Sequence, residues 1–303
     1  MITSSLCCFS CVPDSHRAIW CLTYACNRQC RLCVNRRRPL VGERASPATA
    51  REVATILAQL GYNDILLTGG EPLARDDFFD IAAAFNERGF ALAISTNGDF
   101  LTRRVVHNLS RFSVRSVNLG CFLDNTTSGP RRPRSPGWLS FLEAIRLSAS
   151  GGWRTRVTCV LGSWDLSKIA MTAEEFGKAG ATLISFSWPA PDITRMKCGM
   201  GDIETNLPAS VDIAFNRIRF ADSDAKWGEC PAQEHGYLQI GPDLGIVSCV
   251  MSVSDWPEGD EWPLTIHTPG VIGIIRERMT SLKRPACRAT PRMATLGDSH
   301  ALS

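Results

Sequence analysis

Two features that would place this chain in a membrane or outside the cell are missing from its sequence. No stretch approaches the ~18 consecutive apolar residues that a membrane-spanning helix needs. Met1–Val12 has no basic residue ahead of its apolar positions, so it makes a poor signal peptide. Charge is not in excess either. A formal net charge of +3 on 303 residues argues neither for nor against nucleic acid by itself. The basic runs Arg36–Arg38 and Arg131–Arg134 are too short for a phosphate-binding stripe, so no nucleic-acid partner is expected. They are solvated loop charge, or contacts to an anionic substrate or partner. There is no solenoid period and no low-complexity tract.

Cysteine, by contrast, is abundant, with 13 in the chain. A disulfide-stapled secreted protein is normally short and carries a signal peptide. A chain of this length, without one, is expected in a reducing cytoplasm. There, clustered thiols point to soft metal sites.

Apolar runs alternate with helix-like segments from about Ala18 to Pro191. Strands are predicted at Ala18–Tyr24, Asp64–Thr68, Ala91–Ser95, Ser116–Gly120, Arg154–Val160 and Thr182–Trp188. Helices are predicted at Ser46–Leu60, Asp77–Arg88, Leu101–Leu109, Trp138–Ser150 and Leu166–Ala179. Ser46-Pro47 supplies an N-cap followed by a proline at the first helical position. Such alternation predicts a parallel sheet of βαβ units, closed or partly closed as a barrel. Past Pro191 the alternation is expected to stop. Short strands at Tyr237–Ile240 and Gly245–Cys249, joined by a Gly-Pro-Asp-Leu turn, and a helix at Pro269–Ser281 follow.

Cys26, Cys30 and Cys33 place three thiols within eight residues, so one loop can wrap one metal centre. Spacing alone leaves zinc and iron–sulfur equally open. Zinc would need a fourth ligand, and Cys21 is the nearest candidate. Three ligands on a four-iron cubane would leave one iron open. Two further segments sit directly after strands: Gly69-Gly70-Glu71-Pro72 and Ser95-Thr96-Asn97-Gly98. Each alone is an ordinary turn. After successive parallel strands, all three loops converge on the carboxyl face of the sheet, where ligands bind.

This ordered set resembles the radical S-adenosylmethionine superfamily. The resemblance implies an α/β fold, a partial (β/α)6 TIM-like barrel with a small C-terminal cluster-binding extension. It implies a [4Fe–4S] cluster on Cys26, Cys30 and Cys33, with its open iron taken by S-adenosylmethionine. Gly69, Gly70, Glu71 and Pro72 would hold the amino group of that cofactor, the glycines letting backbone approach it. Ser95, Thr96 and Asn97 would lie near the ribose. Leu32 departs from the aromatic residue many members carry there, but it is still apolar. Ser163 matches a position that often contacts the cofactor. Arg154 or Arg156 reaches the methionine carboxylate, or sits at a solvated strand start. Asp124 lines the site or caps a turn, and Trp188 walls the substrate pocket or simply packs.

Cys230, Cys249 and Cys287 resemble cysteines of the SPASM and twitch extensions, which bind auxiliary [4Fe–4S] clusters. Thr290 stands where the second cysteine of a terminal Cys-x2-Cys pair would fall. One auxiliary cluster is therefore expected, either with an open iron or completed by Cys198 or His235. Cys8-x2-Cys11, with Cys7 beside it, has no assigned role. Cys21, Cys121 and Cys159 are expected to be buried small hydrophobes.

The expected organisation is an N-terminal extension (1–16), a core (17–195), an auxiliary-cluster region (196–288) and a tail (289–303). The expected enzyme is an oxidoreductase. It would cleave S-adenosylmethionine reductively to a 5′-deoxyadenosyl radical, which abstracts hydrogen from an unactivated carbon. Flavodoxin or ferredoxin would supply the electron. Only 17 residues precede the first predicted strand, short of a leader-recognition domain. That leans towards oxidation of a small biosynthetic intermediate, a sugar, aminocyclitol or nucleoside. A maturase cross-linking or epimerising a ribosomally made peptide is the alternative. A non-catalytic iron–sulfur or zinc sensor would explain the cysteines but not the other two loops.

Overall fold

The computed structural model describes residues 17–30, 33, 35, 42–123, 135–161, 168–189, 211–218, 238–247 and 265–281. Among these residues, nine strands form one sheet. They are β1 (Arg17–Cys21), β2 (Asp64–Thr68), β3 (Ala91–Thr96), β4 (Val114–Leu123), β5 (Arg154–Leu161), β6 (Leu183–Pro189), β7 (Asp212–Ile218), β8 (Leu238–Ile240) and β9 (Ile246–Val247). Their order is β7-β6-β5-β4-β3-β2-β1-β8-β9. All pairings are parallel except β8 with β9. The helices are α1 (Pro47–Gln59), α2 (Phe78–Asn86), α3 (Arg103–Leu109), α4 (Pro136–Ser150), α5 (Ile169–Lys178) and α6 (Val271–Ser281).

The helix starts follow from local chemistry. The Ser46 hydroxyl accepts from Thr49 N at 3.2 Å, and Thr49 Oγ1 accepts from Ser46 N at 2.8 Å, a reciprocal capping box. Pro47 then occupies a position whose N–H would have no intrahelical partner. Ala50, Val53, Ala54 and Leu57 recur at helical spacing and are buried. In α4, Ser135 caps, Pro136 follows, and Trp138, Phe141, Leu142 and Ile145 form the inner stripe.

Strand alternation sorts the sheet into two faces. Trp20, Leu67, Ile94, Leu119, Val157 and Phe186 join the helices in one large core. Ile19, Leu66 and Ala93 point the other way and form a separate small apolar cluster. One register step further towards the strands' carboxyl ends, the second face presents Cys21, Thr68, Ser95, Asn118 and Arg156 in a row. An apolar floor thus lies beneath a polar row. Below the floor, Arg17 and Asp64 are paired in register and form a two-armed ion pair at 2.7 and 3.0 Å. Both are almost fully buried, and Arg115 adds a contact to Asp64 at 3.0 Å.

The parallel pattern does not end where the sequence suggests. β7 pairs with β6 in parallel over seven residues, and β8 pairs with β1 at the other side. The predicted turn is present. Leu244 holds a left-handed φ of 69°, Gly241 N donates to Gly245 O at 2.8 Å, and Trp20 Nε1 donates to Gly241 O at 3.3 Å.

Candidate functional site

Three loops leave the carboxyl ends of adjacent strands. The chain from Leu22 to Cys33 follows β1, Gly69–Pro72 follows β2, and Asn97–Asp99 follows β3. By sequence, these loops are related only through a shared ligand. The structure shows that they are also bonded to one another.

The first joint is a close backbone approach. Gly70 N donates to Thr23 O at 2.6 Å, and Glu71 N donates to Ala25 O at 2.9 Å. A Cβ at Gly69 would overlap the Thr23 carbonyl, and one at Gly70 the Ala25 carbonyl. Gly69 also has φ 144°, in the range that favours glycine. Both glycines therefore also admit the start of the cysteine loop, a contact beyond the sequence expectation.

The second joint is Glu71, whose side chain is fully buried. Its carboxylate accepts from Leu73 N at 3.0 Å, Thr96 Oγ1 at 2.8 Å and Asn97 N at 2.7 Å. Burial pushes the carboxyl above its ordinary range, and these hydrogen bonds partly oppose that shift. The carboxylate is thus a bracket between the second and third loops. Thr96 in turn accepts from Gly98 N at 3.0 Å.

The third joint holds the cysteine loop. Asn97 Nδ2 donates to Asn27 Oδ1 at 2.8 Å and approaches Cys26 Sγ at 3.8 Å. Asn27 Nδ2 donates to Asp99 Oδ2 at 2.8 Å, and Arg28 donates to both Asp99 carboxylate oxygens. Arg28 N also donates to Cys26 Sγ at 3.4 Å. Asn35 Nδ2 donates to Gly69 O at 2.7 Å. No sequence signal singled out Asp99, Arg28 or Asn35.

Cys26 is exposed, Cys30 and Cys33 are half-buried, and all three are thiols outside any disulfide. Partial desolvation pushes the Cys26 thiol up, opposed chiefly by the Arg28 N–H. Among the described residues no three His, Cys, Asp or Glu side chains are gathered to hold one metal ion. Cys21, the candidate fourth zinc ligand, is buried with its sulfur against Thr23 O at 3.5 Å. Three thiols on one loop, with N–H groups directed at the Cys26 sulfur, suit a soft iron–sulfur group.

Pro72 is buried at the start of a 3-10 turn. Ser95 and Arg156 stand in the polar row, and Arg154 is exposed. Cys121 and Cys159 are buried, as expected, with sulfurs 3.5 Å apart. The buried Ser187 Oγ and Gln239 Oε1 lack hydrogen-bond partners among the described residues. Ser187 alternates with Phe186 of the helix-side core, and Gln239 is in register with Ile19, which puts both on the polar-row face. Ser163, Asp124, Cys198, Cys230, His235, Cys249, Cys287, Thr290 and Cys7, Cys8 and Cys11 lie outside the described residues, as does the Trp188 side chain.

Residues 20–176 match the family model described as the Radical SAM superfamily. The chain belongs to that superfamily, whose members use S-adenosylmethionine and an iron–sulfur cluster. Among curated proteins it is 30% identical over 145 residues to the molybdenum cofactor biosynthesis protein 1 of Drosophila melanogaster, covering 46% of this chain and 26% of that protein. It is 27% identical over 171 residues to the AdoMet-dependent heme synthase of Methanosarcina barkeri, covering 54% and 47%. The chain thus spans less than half the length of either relative. Among solved structures, Streptococcus suis SuiB bound to S-adenosylmethionine aligns with TM-score 0.65 at 14% identity, over 86% of this chain and 65% of that one. AdoMet-bound anSMEcpe aligns with TM-score 0.56 at 13% identity, over 83% and 78%. These likenesses establish the partial-barrel fold. No helix among the described residues is long and apolar enough to cross a membrane.

Proposed function

We propose that Cys26, Cys30 and Cys33 hold the [4Fe–4S] cluster, and that Gly69–Pro72, Ser95, Thr96, Asn97 and Ser163 bind S-adenosylmethionine. The single observation that carries this reading is the bonding of the three loops into one unit at the carboxyl ends of β1, β2 and β3. When bound, cluster and cofactor supply an electron and a cleavable sulfonium, generating the radical that abstracts hydrogen from an unactivated substrate carbon. The chain's own contribution is positional. Glu71 fixes Thr96 and Asn97, and Asn97 in turn steadies the cysteine loop through Asn27. The floor of Ile19, Leu66 and Ala93 closes the inner face from below, with the Arg17–Asp64 pair beneath it.

The substrate is a small polar biosynthetic intermediate, a sugar, aminocyclitol or nucleoside, which is oxidised. Support comes from the polar row and from Ser187 Oγ and Gln239 Oε1, buried groups that a hydroxylated molecule would satisfy. Arg156 offers the row a cation for the cofactor carboxylate or for an anionic group of the substrate. Cys230, Cys249 and Cys287, with Cys198 or an open iron, carry an auxiliary cluster able to accept the second electron. A flavodoxin or ferredoxin of the cytoplasm is the donor.

Iron content after anaerobic reconstitution tests this reading. About eight irons per chain, four per cluster, are expected, falling by half in Cys230→Ala. Four irons, unaffected by that substitution, would remove the auxiliary cluster and the case for oxidation.

A further inference from the structure

The hydrogen bonds around Cys26 include one group that neither the motifs nor the fold accounts for. Asp99 directly follows Ser95–Gly98, and its backbone N–H is fixed by Asn97 Oδ1 at 2.9 Å. Its carboxylate takes the Arg28 guanidinium with both oxygens and the Asn27 amide at 2.8 Å. Arg28 lies between Cys26 and Cys30, so Asp99 clamps the cysteine loop from the third loop. Within that clamp two N–H donors face one sulfur: Arg28 N at 3.4 Å and Asn97 Nδ2 at 3.8 Å from Cys26 Sγ. Both depend on the clamp. Arg28 N belongs to the clamped residue itself, and Asn97 Nδ2 is aimed by its bond to Asn27, the other residue that Asp99 holds.

We propose that Asp99 is a positioning residue that sets the reduction potential of the cluster, by holding Arg28 and Asn27 so that these two N–H groups face the Cys26 sulfur. The inference rests on the reading of Cys26 as a cluster ligand. An N–H dipole aimed at a thiolate sulfur stabilises the added electron, so donors raise the potential and their loss lowers it. Bidentate pairing with Arg28 is geometrically demanding, which is why a charge elsewhere near the loop would not substitute.

Removing Asp99 alone would confound the test, because it also removes a negative charge. The Arg28→Gln/Asp99→Asn double variant removes the clamp and leaves the local net charge unchanged. Reconstituted full-length wild type and variant are compared by redox titration followed by electron paramagnetic resonance. The variant's reduction equilibrium should fall about tenfold, ~59 mV for a one-electron couple, and iron release to a chelator should quicken. An unchanged midpoint overturns the proposal, whatever the rate of iron release. A wild type without a four-iron signal refutes the ligand assignment itself, and the proposal with it. If the double variant does not fold or keeps no cluster, Asp99→Glu preserves the charge but displaces the carboxylate by one methylene. Its midpoint should also fall, and a wild-type midpoint there overturns the proposal.

Discussion

Replacing Glu71 with alanine probes the bracket between the second and third loops. The substitution strands three donors: Leu73 N, the Thr96 hydroxyl and Asn97 N. Hydrogen bonds to a charged acceptor each contribute about 1.5–3 kcal/mol net. Relief from holding a carboxylate in a buried site offsets several kcal/mol of that sum. A net loss of about 3 kcal/mol remains, which for a chain of this size is roughly 5 °C in Tm. Thermal unfolding of the metal-free protein, followed by circular dichroism, reads this directly. Glu71→Gln supplies the matching pH signature. The unfolded carboxyl titrates near its ordinary value of 4.5, and the folded one titrates higher. Between those two values the folded state binds the extra proton, so wild-type stability falls as pH rises through the window. Glutamine cannot ionise, so wild-type stability relative to Glu71→Gln should decline from pH 4 to pH 7. A Tm loss under about 2 °C in Glu71→Ala would refute the bracket, and a flat pH difference would refute the upward shift of the carboxyl.

Two further substitutions test the frame around the site. Asp64→Ala should shift the urea midpoint by the equivalent of about 3–5 kcal/mol, because it leaves Arg17 buried without its partner. Arg115→Ala, at a half-exposed side chain, should cost about 0–1 kcal/mol; equal losses from the two would contradict a buried pair. Gly70→Ala forces a methyl group onto the Ala25 carbonyl, and no flexible side chain is there to yield. It should lower both Tm and iron uptake, while Gly42→Ala, with no described residue within 4 Å of the added methyl, should change neither. Wild-type iron content in Gly70→Ala would contradict the close approach.

The core of this fold was legible because its signals are local and periodic. Asp64–Thr68 is predicted and observed with identical bounds, and Ser46-Pro47 starts α1 as expected. Strand β4 extends past its predicted end to Leu123, since the polar-row face carries Gly120 and Phe122 where simple alternation expects a break. β7 was missed because its pairing with β6 is non-local, and a single short run carries no mark of its partner. The three motif loops were legible as spacing, but the reason for Gly69 and Gly70 was not. Spacing cannot show that a glycine yields to another backbone, and here Thr23 and Ala25 make that approach. Glu71 was read as part of the cofactor loop; its carboxylate also caps its own turn at Leu73 N and ties that loop to Thr96 and Asn97 of the next. Asp99 and Arg28 are 71 residues apart, and only the folded arrangement of β1 and β3 brings them together.

The most direct test of the central claim is the release of 5′-deoxyadenosine from S-adenosylmethionine by the anaerobically reconstituted, chemically reduced protein. Wild type should produce it. The Cys26→Ala/Cys30→Ala/Cys33→Ala variant should lose one four-iron cluster and all of the product. Cleavage that persists in the triple variant would contradict the assignment of these three cysteines as the cluster's ligands.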